Sequence, residues 1–144
     1  MTDALRSQDR QLIMDKLYGY AWAIDKDDVD GWIDTFSDDV YFEFGELKIN
    51  GKENLRKWIS DDVVGTLLQM RHVITNIIIE FKDQNEAISK CYWLFNSGYK
   101  GHEKEGVTEN ANGTYHMRWR KEGAVWRVYE EVAEAVWWTG SNAP

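Results

Sequence analysis

Three side chains in this sequence suit acid–base chemistry by type: the phenol of Tyr20, the carboxylate of Asp25 and the imidazole of His72. A carboxylate beside an imidazole fixes the ring tautomer and stabilises the imidazolium, so the ring becomes a usable general base. A phenol nearby can hydrogen-bond an oxygen as it becomes enolate-like. The chemistry this points to is proton abstraction next to a carbonyl. Tyr20 and Asp25 are five residues apart. Five helical residues turn through about 500°, or about 140° net, so an ideal helix would not align them. Convergence is expected only where the helix frays near Asp25.

Other reactive types form weaker patterns. His72, His102 and His116 make no short metal motif. The acidic run Asp25–Asp34 fails as a calcium loop: with Gly31 at the turn, the first ligand position is Lys26 and the twelfth is Ser37, where a Glu is required. Cys91 is the single cysteine, so no intramolecular disulfide can form, and a buried, inert thiol is expected. There is no phosphate loop or dinucleotide fingerprint. No metal and no cofactor are expected.

The elements that must hold these groups divide the chain in two. From Arg6 to about Lys26, Ile13, Leu17, Tyr20, Ala21 and Ile24 recur at helical steps. Asp27 or Asp28 can cap a short second helix with Val29, Trp32, Ile33 and Phe36 inward, closed by Ser37-Asp38-Asp39. Strands are expected at Val40–Phe44 and Leu47–Ile49, then a third helix from Lys52 to about Val64. Long extended stretches follow: His72–Phe81, Ala87–Tyr99, Val107–Lys121 and Val125–Trp138, with Gly98–Gly106 as a charged hairpin tip. His72, at the head of its strand, should share a face with Ile74 and Asn76. Ala111, Gly113, Tyr115, Met117 and Trp119 alternate with polar residues, which implies one packed and one wet sheet face. His116, Arg118 and Arg120 fall on the wet face with no obvious partner.

The expected fold is α+β: a curved, mostly antiparallel sheet wrapped around three N-terminal helices, with an open cone between them. The whole chain, 1–144, should form a single domain. Eight Trp, seven Tyr and five Phe are enough to line such a cone. Phe44, Trp58, Trp93 and Tyr115 are the candidate substrate-binding rings, while Trp32 and Trp126 read as core. Trp137 and Trp138 must point to opposite faces of their strand.

Composition sets the outer limits. With 17 basic and 25 acidic residues the net charge is −8, which disfavours nucleic acid and anionic lipid as partners. There is no apolar signal region and no run of about 18 apolar residues, so a cytoplasmic location with no membrane partner is expected.

The run Tyr20-Ala-Trp-Ala-Ile-Asp25-Lys-Asp-Asp-Val-Asp-Gly-Trp32, with Phe36-Ser-Asp-Asp-Val40, His72-Val-Ile-Thr-Asn76 and Gly123-Ala-Val-Trp126-Arg-Val128, resembles the SnoaL-like branch of the nuclear-transport-factor-like superfamily. The likeness spans about Asp9 to Trp138. Within that superfamily the pattern is similar to dehydratase and dehydrochlorinase families that use an Asp–His pair in an apolar cone. Asp25 and His72 fall on those two positions, and Tyr20 on the tyrosine of the bile acid dehydratase pattern. Ile24 stands where the scytalone dehydratase pattern has a tyrosine, and Cys91–Asn96 lacks that pattern's second histidine. The resemblance implies a lyase acting on an apolar cyclic or aromatic small molecule, and a homo-oligomer, dimer or trimer. An isomerase, a polyketide-type cyclase or a non-catalytic binding or scaffold subunit fits the same fold.

Overall fold

Helix α1 (Asp3–Asp25) follows from its apolar period: Ile13, Leu17, Tyr20, Ala21 and Ile24 lie on one buried face. It starts ahead of the expected Arg6, and it does not fray, because Asp25 is still helical. The computed structural model describes residues 3–99 and 108–139. Beyond α1, Asp27 adopts φ 58 and turns the chain, and the Asp28 Oδ1 accepts the Gly31 N–H at 2.9 Å to cap α2 (Val29–Ile33). The second helix is shorter than expected. Phe36 opens β1 (Phe36–Phe44), and Ser37, Asp38 and Asp39 belong to that strand rather than to a helix end. The cause is long-range: the Val128 N–H donates to Thr35 O at 2.9 Å and Phe36 pairs with Val128, so a ladder displaces local helix.

A hairpin carries β1 into β2 (Leu47–Asn50), and α3 (Lys52–Trp58) follows. The expected continuous helix to Val64 instead widens into a π-helical turn over Ile59–Val63. The long strands are β3 (Leu67–Phe81), β4 (Glu86–Tyr99), β5 (Thr108–Glu122) and β6 (Val125–Thr139). His72 therefore sits inside β3 and does not open it. His102 and the hairpin tip around it lie outside the described residues.

The six strands form one open sheet in the order β2-β1-β6-β5-β4-β3. Every pairing is antiparallel except β1 with β6. Helix α1 lies across β3 and reaches β6. Its first half is pinned by Asp9, which is buried and accepts from Lys121 Nζ and from Trp126 Nε1, both at 2.9 Å. Trp126 is core, as expected. No helix among the described residues is long and apolar enough to cross a membrane.

Slips in the ladder decide what faces inward. Between Thr75 and Ile78 the β3–β4 pairing shifts and Asn76 takes φ 55. The inward set passes from His72 and Ile74 to Ile77, Ile79 and Phe81, and the expected place of Asn76 on that face is lost: it is exposed. In β6, Trp126 and Val128 are buried, then the pairing with β5 shifts between Val128 and Glu130. Tyr129 is the extra residue, so Glu131 and Ala133 are the next to turn inward. On the outer face the basic residues do have partners. Arg118 Nε meets Glu130 Oε2 at 2.7 Å, Arg120 Nη1 meets Asp39 Oδ1 at 3.1 Å, and His116 Nε2 lies 3.6 Å from Glu134 Oε2.

Candidate active site

The cone encloses a cavity of about 510 Å³, a size suited to a small organic ligand. All four ring positions singled out from sequence line it: Phe44, Trp58, Trp93 and Tyr115. Trp93 stacks on Tyr115 with centroids 5.6 Å apart and planes at 22°. Phe44 meets the edge of Trp93 at 6.3 Å, and Trp58 packs on Phe42 at 5.3 Å. Trp32 is core and cavity wall at once. Trp137 and Trp138 do split between the faces. Trp138 turns inward against Phe44, Trp93 and Phe95 and donates its indole N–H to Glu109 Oε2 at 2.7 Å, while Trp137 is exposed. Phe95, Met70 and Ala133 also line the wall. Their strands are apolar and alternating, but nothing in them distinguishes cavity lining from plain core.

Asp25 and His72 are in direct contact. Asp25 Oδ1 lies 2.7 Å from His72 Nδ1, and Asp25 Oδ2 accepts the backbone N–H of His72 at 2.8 Å. The side chains are only 8% and 14% exposed, respectively. Position, not fraying, explains the contact: the last residue of α1 lies over the middle of β3. With the carboxylate on Nδ1, that nitrogen carries the ring proton and Nε2 has a free lone pair. His72 lines the cavity and Asp25 does not. Asp25 instead borders a second pocket with Tyr18, Trp22 and Arg71, and His72 borders both. The ring thus stands between the second pocket and the cone, with Nε2 as the nitrogen not engaged by Asp25. Phe95 holds the ring from one side at a centroid distance of 4.8 Å.

Tyr20 also lines the cavity, on the same face of α1 that packs the core, and it does not touch Asp25. Its hydroxyl lies 3.0 Å from Glu131 Oε1. Glu131 is fully buried, and burial pushes its carboxyl up to about 8, only partly offset by the Tyr20 hydrogen bond. Burial and the nearby Glu131 push both Tyr20 and Tyr115 well above the usual phenol range. Burial, then Glu131, pushes the Cys91 thiol up to about 12, which fits an inert thiol. Sequence reasoning missed Glu131. Only the slip at Tyr129 turns it inward, and no local pattern announces that slip. Among the described residues, no three His, Cys, Asp or Glu side chains gather as metal ligands would.

The architecture has close counterparts. A candidate scytalone dehydratase from Novosphingobium aromaticivorans DSM 12444 superposes with a TM-score of 0.90 at 16% identity, covering 99% of this chain and 94% of its own. The hexachlorocyclohexane dehydrochlorinase LinA-type3 from Novosphingobium barchaimii LL02 gives 0.83 at 17% identity, over 99% and 97%. A cystatin-like protein of unknown function from Nostoc punctiforme PCC 73102 gives 0.70 at 20%, over 95% of each chain. At such identities the likeness shows the fold alone. No curated protein matches the chain in sequence. The family match is more specific. It covers residues 5–130, from the start of α1 through Asp25 and His72 to the outer edge of the Glu131 bulge, and the chain belongs to the SnoaL-like domain family.

Proposed function

We propose that this protein is a lyase. It eliminates a leaving group, such as hydroxide, lying beta to an acidic C–H in an apolar cyclic or aromatic ketone. The observation that carries the reading is the Asp25–His72 contact at the wall of a cavity lined by aromatic rings. His72 Nε2 takes the proton from the carbon next to the carbonyl, and the C–H electron pair becomes the enolate. Asp25 keeps Nδ1 protonated and stabilises the imidazolium. The enolate collapses, the C–O bond at the beta carbon breaks, and the imidazolium returns its proton to the departing oxygen as water. Tyr20 holds the carbonyl oxygen. Because one nitrogen serves as both base and acid, proton and leaving group must depart from the same face of the substrate. The aromatic wall holds the substrate in register and excludes water, which strengthens each polar contact.

The test is enone formation from a panel of fused-ring β-hydroxy ketones, followed by absorbance. His72→Ala and Asp25→Asn are each expected to lower turnover by about 10²–10⁴-fold with the fold intact. Undiminished turnover in either variant removes the dyad from the mechanism. A double-bond shift without loss of water would reassign the chemistry to isomerisation. Tight ligand binding without turnover, unchanged by Asp25→Asn, would make the protein a binding subunit.

The outer sheet face supports self-association as a dimer or trimer. Val73, Leu94, Asn112 and Trp137 are successive register neighbours across β3, β4, β5 and β6. The three apolar members of that row are exposed, and Tyr92, Ile78 and Val136 are exposed on the same strands.

A further inference from the structure

Glu131 has no part in the elimination described above. It is fully buried on the inner side of β6, lines the cavity, and its Oε2 makes no hydrogen bond among the described residues. The titratable groups that face it are Tyr20 from α1, Tyr115 from β5 and Cys91 from β4. None of these carries positive charge. The neighbour from β1 is Phe42, its register partner. Among the described residues, a carboxylate there has no counter-ion, and its second oxygen has no donor.

The proton count at Tyr20 then matters. A phenol has one proton to give and can also accept, whereas a carboxylate can only accept. If Glu131 is ionised, the Tyr20 proton is held on Glu131 Oε1 across their 3.0 Å contact. Tyr20 then presents only lone pairs to the cavity, and these repel a carbonyl oxygen. If Glu131 is protonated, its own O–H can donate across the same contact to the Tyr20 oxygen. The phenol proton is then released from Glu131, and a carbonyl oxygen in the cavity competes for it with Tyr115, which hydrogen-bonds the same hydroxyl. We infer that Glu131 works as a carboxylic acid that donates to the Tyr20 hydroxyl oxygen, so that the Tyr20 proton is directed at a carbonyl oxygen bound in the cone. Glu131 is thus a positioning residue, and Tyr20 is the group that touches the ligand. The inference rests on the reading of the ligand as a carbonyl compound, and it does not need turnover. Burial supports it independently, since a carboxyl pushed up to about 8 keeps its proton at neutral pH.

The experiment compares binding of 1-indanone with that of indane, which has the same rings and no carbonyl. Quenching of the cavity tryptophans gives both affinities below and above about pH 8. Below it, the ketone is expected to bind about five- to tenfold tighter than the hydrocarbon, the effect of one hydrogen bond. Above it, that preference disappears while indane affinity stays constant. Tyr20→Phe abolishes the preference at every pH. Glu131→Gln, whose amide donates and cannot ionise, keeps it at every pH. Should Glu131→Gln fail to fold, ¹³C titration of wild-type glutamate side-chain carboxyls must still show one that remains protonated at neutral pH. A ketone preference that is independent of pH in the wild type, or that survives Tyr20→Phe, overturns the inference. So does the absence of a protonated glutamate at neutral pH. His72→Ala separates this inference from the lyase reading, because it should stop elimination and leave the pH-dependent ketone preference in place.

Discussion

A carboxyl sealed from water keeps its proton, and this has a cost that can be read in stability. In the unfolded chain a glutamate titrates near about 4.3, whereas folded Glu131 is pushed up to about 8. Between those values the folded chain holds a proton that the unfolded chain has released. The associated stability is complete below the lower value and is lost as pH rises toward the upper one, by up to about 1.4 kcal/mol per pH unit. Glu131→Gln removes the titration. The variant is therefore expected to gain on the wild type steadily as pH rises from about 5 to about 8, as measured by urea midpoints at each pH. Parallel pH profiles for the two proteins would show that Glu131 does not titrate in this range. The Asp25–His72 contact was legible in the sequence, since both residues are recognisable by type and by position in the family pattern. Glu131 was not, because its direction depends on a single inserted residue in β6.

At the scale of elements, legibility followed periodicity. The apolar step of α1 and the alternation of β5 are visible in the residues, and both elements formed within a few residues of the expected bounds. Where the period broke, sequence could not say so: at the Asn76 bulge, at the slip around Tyr129, and at the π-helical turn after Trp58. These breaks are set by pairing between distant strands, not by local propensity. Gly113 shows a strand residue fixed by its neighbours. A Cβ there would come within 1.8 Å of Glu134 O and 2.7 Å of the Trp93 ring. Its absence lets Trp93 lie across β5 and stack on Tyr115. Gly113→Ala is expected to lower stability by about 1–3 kcal/mol and to displace Trp93. A fall in Tm together with weaker ligand quenching of tryptophan fluorescence would show both. An unchanged Tm would mean that the strand yields without strain.

At the scale of the whole molecule, the cone buries one face of its sheet and leaves the other to be covered. The exposed apolar row through Val73, Leu94 and Trp137 is the contact proposed for a second copy. Leu94→Asp places a charge in the middle of that row and is expected to shift the assembly to monomer in sedimentation experiments. A wild type that is monomeric at micromolar concentration would remove self-association from the account. Unlike the inner face, this patch could not be read from any one strand, since its members meet only through the register of four. Asp25 is held by the ring and by the backbone N–H of the same residue, His72. The carboxylate is pinched between two points that travel together, as a key is gripped by one hand. Any sliding of α1 along β3 would carry ring and amide together, so the hold on Asp25 depends on the position of one residue of β3 and not of two.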